Sequence, residues 1–124
     1  MGLSRNVSLF TGLRYKGHGP MLTYVLHRIG GLGMAIFVTM HILASFLGGQ
    51  VGSFLNTIYE NWAFQIFIFF CALFHAINGL RITILDLFPK LLEHEHEAVW
   101  IEWAVFLPIY AVAVIVIVRT AAGG

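Results

Sequence analysis

The sequence predicts an all-α integral membrane protein with three transmembrane helices. Of its 124 residues, 59% are hydrophobic and only 10% charged, a balance outside that of soluble domains. Three apolar stretches, at about 24–47, 62–85 and 100–118, each approach or exceed the roughly 20 residues a helix needs to cross a hydrocarbon core about 30 Å thick. Charges collect outside or at the edges of these stretches, and a net charge of +1 gives no basis for nucleic-acid binding.

The chain reads as a single membrane domain, 1–124, whose first 23 residues form a polar, basic segment without the apolar core of a signal peptide. Gly48, Gly49 and Gly52 break the first span, Pro89 stops the second just beyond Asp86, and Pro108 is expected to bend the third. Both connections read as short loops. Arg5, Arg14, Lys16 and Arg28 precede or open the first span, Arg81 and Lys90 flank the second connection, the first connection has no cation, and Arg119 lies on the opposite side. Positive charge concentrates on the cytoplasmic side of membrane proteins, so the N-terminus and the 82–98 connection are expected in the cytoplasm, with the C-terminus outside. The location is then a cell's inner, cytoplasmic membrane. Trp62, Trp100 and Trp103, near span starts, read as interfacial anchors. Cys71, the one cysteine, reads as a small packing residue.

Ionisable groups within a span are costly unless they meet a partner, which makes each a candidate functional group. His75 lies well inside the second span, with Gly79 and Asp86 about 40° and 20° from it around the helix. Two readings stay open on periodicity alone. In one, His75 ligates a haem, with Cys71, Ala72 and Gly79 leaving room for the macrocycle and His27, Arg28 and Arg81 supplying cations for its propionates. In the other, it is a neutral hydrogen bonder between helices.

His41 follows His27 by 14 residues, about 40° away around the helix and roughly 21 Å deeper. Gly31, Met34 and Val38 lie between them on a stripe suited to a second haem, a quinone tail or another helix. His27 and Arg28 face the same leaflet as His75, Arg81 and Asp86, making a polar pocket at the interface that suits a quinone head group. His94 and His96 alternate with glutamates but read as a solvated polar turn rather than a metal site.

The segment Tyr24-Val25-Leu26-His27-Arg28-Ile29-Gly30-Gly31 resembles the leucine-histidine-arginine-x-small-glycine entry to the first helix of the cytochrome b subunit of succinate dehydrogenase, respiratory complex II. His75-Ala76-Ile77-Asn78-Gly79-Leu80-Arg81, followed by Asp86, is similar to that family's second-helix signature, histidine-x-x-x-glycine-x-arginine with an aspartate five residues on. The two motifs occur in the family's order on the right spans, and the likeness covers about 14–118.

The resemblance implies half of a heterodimeric membrane-anchor helix bundle that binds haem b. His75 would be one axial ligand to the iron, and a second small membrane-anchor subunit would supply the other histidine. A flavoprotein subunit oxidises succinate, and an iron–sulfur subunit passes electrons to quinone at the membrane surface. Arg28 falls beside the family's quinone pocket; the position often held by a quinone-binding serine is Tyr24, with Thr23 adjacent. Many members carry a histidine after the second-helix arginine, where this chain has Ile82, so that propionate contact is absent. His41 matches the extra first-helix histidine of members with two haems, although one haem is the expectation. The rival readings are a haem-free anchor and a cytochrome b subunit of a fumarate reductase or another respiratory dehydrogenase.

Overall fold

The computed structural model describes residues 18–124; Arg5, Arg14 and Lys16, which set much of the expected orientation, lie outside the described residues. Four α-helices follow one another: α1 His18–Leu47, α2 Gly49–Glu60, α3 Trp62–Leu87 and α4 Glu95–Ala121, with a 3₁₀ segment, Pro89–His94, before the last. Three of these elements are long and apolar enough to cross a membrane: Pro20–Leu47, Trp62–Leu87 and Pro89–Ala121. Their outer surfaces expose Leu32, Leu80, Leu107, Val112 and Ile115, the reverse of a soluble domain and the surface that lipid requires.

Local sequence explains the ends. Asn61 caps α3, its Oδ1 accepting from the amides of Ala63 and Phe64 at 3.0 and 3.3 Å. Phe88, the residue before Pro89, leaves the helical region with φ −124° and ψ 74° and ends α3. Glu95 and Glu97 lie in the first turn of α4 and Arg119 in its last, each matching the helix dipole. The helix runs on through Pro108.

Side-chain pairs set an antiparallel register between α1 and α3. Thr23 meets Arg81 at one end at 3.3 Å, His27 stacks on His75 at 4.1 Å, and Phe37 reaches Phe64 at 6.3 Å. In the middle, a Cβ on Gly30 would stand 3.0 Å from the Cys71 carbonyl oxygen, and one on Gly33 would stand 2.8 Å from Cys71 Sγ. Small residues therefore let these backbones close up, and Cys71, fully buried, fills the seam. Between α3 and α4 an aromatic ladder takes over. Phe106 meets Phe70 at 5.5 Å and Phe74 at 5.3 Å edge to face, and Trp103 meets Phe74 at 5.4 Å. The Tyr110 hydroxyl donates to the Ile66 carbonyl at 3.1 Å. Trp103 thus belongs to the helix contact rather than serving only as an interfacial anchor, whereas Trp62 and Trp100 are exposed.

The first connection is a helix, not a short loop. Val51, Phe54, Leu55 and Ile58 recur every three or four residues, giving 49–60 one apolar and one polar face. Gly48 and Gly49 reverse the chain with φ of 57° and 54°, values open to glycine at little cost. The helix then folds back along α1, Gly52 against Ala44 and Tyr59 against Phe37 at 5.3 Å. The second connection likewise shrinks to the 3₁₀ segment, with His96 already inside α4.

A Cβ at Gly52 would sit 2.7 Å from the Ala44 carbonyl oxygen, a backbone atom that cannot swing aside. Gly52→Ala is therefore expected to destabilise the protein by about 1–3 kcal/mol, read as a lower thermal midpoint in detergent. Ser53→Ala, at an exposed neighbour, serves as the unchanged control.

Candidate functional site

At the Arg81 end of the bundle, three helices each contribute a polar side chain to one buried network. Arg81 of α3 donates from Nε and Nη2 to Asn78 Oδ1 at 3.2 and 2.8 Å, and from Nη2 to Thr23 Oγ1 of α1 at 3.3 Å. The Thr23 hydroxyl donates in turn to the Pro20 carbonyl at 2.9 Å. From α4, Glu102 brings Oε2 to 2.8 Å from Arg81 Nε, with the side chains 1% and 11% exposed respectively. The Nε–H is aimed at Asn78, so the Glu102 contact is a close ion pair and, among the described residues, neither of its oxygens receives an in-line hydrogen bond. Asn78 Nδ2 is also buried without a partner among these residues.

One and a half turns along α3, His75 turns its Nδ1 to the backbone carbonyl of His27 at 3.2 Å. A carbonyl only accepts, so Nδ1 carries the hydrogen, which leaves Nε2 as the nitrogen able to offer a lone pair. This is the arrangement that orients imidazole for a metal, with one nitrogen tied to a carbonyl and the other presented. Gly31 makes the approach feasible, since a Cβ there would meet His75 Cε1 and Nδ1 at 3.1 and 3.2 Å. The His27 ring lies on His75 within 10° of parallel and also fills the space beside Gly79, where a Cβ would stand 3.7 Å from its Cε1. The gap that Gly79 was expected to leave open is thus taken by a side chain of this chain. His27 Nδ1 is buried and has no hydrogen-bond partner among the described residues.

Arg28, exposed, lays its guanidinium over the Tyr24 ring at 5.5 Å. Tyr24 joins Pro20, Arg81, Asp86, Leu92 and Glu95 around a cleft of about 230 Å³. Thr23 does not open on that cleft, because it is fully buried and its hydroxyl is committed to Pro20 and Arg81. A second cleft of about 350 Å³ lies between Arg81, Leu85, Leu91, His94 and Ile101.

His41 lies at the other end, stacked on Phe37 at 5.8 Å and edge-on to Tyr59 at 5.5 Å. It lines a cavity of about 640 Å³ with Asn56, Tyr59, Glu60 and Gln65. Among the described residues its ring nitrogens have no hydrogen-bond partner, which sets it apart from His75. His94, on the surface, pairs with Glu97 one turn on.

Sequence reading passed over Glu102 and gave Asn78 no role. Glu102 carried a usable signal, since it is the one acid inside the third apolar stretch. Its partner was not visible, because the α3–α4 register is a tertiary fact.

Comparison with known proteins agrees with this architecture. The chain is 26% identical over 109 residues to the succinate dehydrogenase 2 membrane subunit SdhC of Mycobacterium tuberculosis, covering 83% of this chain and 80% of that protein. A family model described as the succinate dehydrogenase/fumarate reductase transmembrane subunit matches residues 3–118. With three membrane-spanning helices inside a match of nearly full length, this chain belongs to the family of succinate dehydrogenase/fumarate reductase transmembrane subunits.

Proposed function

We propose that the chain is the cytochrome b membrane anchor of a succinate:quinone oxidoreductase, with His75 as one axial ligand of haem b and a quinone site at the Arg81 end. The observation that carries the reading is the His75 Nδ1 bond to the His27 carbonyl, which leaves Nε2 for the iron. The buried His27 Nδ1 beside it is a polar atom without a partner among the described residues, which suits a bound group.

Within this reading a haem, when bound, supplies a one-electron site inside the membrane. His75 would hold the iron, its tautomer kept by the α1 carbonyl. His27 and Arg81 would supply the donors for the propionates. Arg28, braced on Tyr24, donates to a quinone oxygen and favours the charge that develops there; Thr23 acts indirectly, by holding Arg81. The second axial imidazole comes from a second small membrane subunit, and the electrons come from an iron–sulfur and a flavoprotein subunit. In a cell's inner membrane the Arg81 end then faces the cytoplasm. One haem per anchor fits the contrast between the two histidines; a second haem at His41 requires the partner to bring its own acceptor and ligand.

A haem-free anchor is the second reading, because the His75–His27 bond by itself joins α1 and α3. Direction, succinate oxidation or fumarate reduction, follows the quinone potential.

His75→Ala is expected to remove the b-type bands from the dithionite-reduced minus oxidised spectrum while the subunits still co-purify; persistence of the bands would end the ligand assignment. Gly31→Ala pushes a methyl against the His75 ring and is expected to weaken or shift the same bands. Arg28→Leu should lower succinate:quinone activity at least about tenfold more than succinate oxidation by an artificial acceptor, the loss expected from one charged hydrogen bond. Equal losses in the two assays would mean an assembly defect instead.

A further inference from the structure

Glu102 is an acid within an apolar helix, 3% exposed, and no part of the proposed electron path uses it. Without Arg81 opposite, nothing about packing α4 would require a carboxylate there. An apolar residue of similar size would pack as well, and replacing a buried ion pair by apolar groups is commonly neutral or stabilising. Its place is therefore explained by what it does to Arg81.

Arg81 has five N–H groups. Nε is shared between Asn78 and Glu102, and Nη2 is taken by Asn78 and Thr23. Nη1 has no partner among the described residues, and the residue lines both clefts at this end of the bundle. Asn78 alone could hold the guanidinium, but it brings no charge. Glu102 adds a compensating charge from the opposite helix, against the Nε edge, on the side away from Nη1.

We propose that Glu102 is a positioning residue for Arg81: its carboxylate, carried by α4 to 2.8 Å from Nε, holds the guanidinium at the clefts with Nη1 free to donate to an anionic or carbonyl oxygen of a bound redox group. The inference rests on the functional reading above. The oxygen belongs to a haem propionate or to a quinone, and the test separates the two.

Glu102→Gln, Arg81→Gln and the double variant are compared as whole complexes in membranes. Two quantities are read: the ferrous-to-ferric ratio of haem b at a fixed ambient potential, and KM against kcat for a soluble quinone. Arg81 stands six residues from His75, roughly 9 Å along the helix. Unmasking its charge in Glu102→Gln should raise the ferrous-to-ferric ratio about tenfold at an effective dielectric near 20. Tenfold corresponds to about 59 mV for a one-electron couple. A several-fold rise in quinone KM with kcat kept identifies the quinone, and a changed ratio with quinone KM unchanged identifies the propionate.

With Arg81→Gln the carboxylate left without its cation in the apolar bundle takes up a proton, so Glu102→Gln should add nothing in that background. Equal, additive effects in both backgrounds, or no change in either quantity, overturn the proposal. Where Glu102→Gln alone fails to assemble, Glu102→Asp, which draws the carboxylate back from Nε, is read in its place and is expected to shift the same quantity by a smaller factor, and absence of any shift overturns the proposal. Absence of b-type bands from the unaltered complex would remove the haem reading, and the KM measurement would then decide the role of Glu102 by itself.

Discussion

An arginine and a glutamate inside the apolar part of a helix bundle persist only together. Removing either strands the other in a low dielectric at a cost of roughly 3–5 kcal/mol, so the Arg81–Glu102 pair dictates where α3 and α4 stand against each other. The aromatic ladder below it tolerates small slips, because edge-to-face rings are attractive over a range of separations. The ion pair does not. Arg81 also binds Thr23, so the same residue sets the height of α1, and with it which α1 carbonyl faces His75. The orientation of the central imidazole thus descends from a charge pair one and a half turns away.

The three spans were legible because hydrocarbon selects on composition alone, and no competing interaction hides it. His75 was legible for the same reason, since an imidazole at that depth stands out against Phe69, Phe70 and Phe74. What the sequence concealed was pairing. Glu102 is close enough to Trp100 and the preceding acidic turn to pass for an interfacial residue until α4 is laid against Arg81. Gly79 offers a gap on a helical wheel, but a wheel cannot show that His27 fills it. The α2 helix was missed because its apolar face is only twelve residues long and glycine-rich, the composition of a loop. Its helical form depends on packing against Ala44 and Phe37, which hydropathy does not report.

The two intramembrane histidines show why residue type and depth are insufficient. His41 is set among aromatic rings beside a large cavity, yet its ring nitrogens lack a protein partner among the described residues. His75 has a backbone acceptor, a stacked neighbour and a glycine that admits it. A ligand whose tautomer and ring plane are already held loses less freedom on binding iron than one that must be ordered first. On that ground the proposed group has a better prepared place at His75, and a group at His41 would depend on whatever the partner adds.

The helix-bridging and the ligating readings of His75 share one geometry. Bridging commits Nδ1 to the His27 carbonyl, and that commitment puts the lone pair on Nε2 and stops the ring from turning. An imidazole that first evolved only to join two helices would already have been oriented as a metal ligand. The reverse does not follow, because a ligand without the bridge would swing and would exchange tautomers. Nor would iron weaken the bridge on the proposed ligation, since a metal on Nε2 would withdraw charge from the ring and make Nδ1–H a better donor to the same carbonyl. The joint between α1 and α3 and the proposed cofactor site would then strengthen each other, and helix packing and electron transfer would be lost together wherever that carbonyl is pulled away.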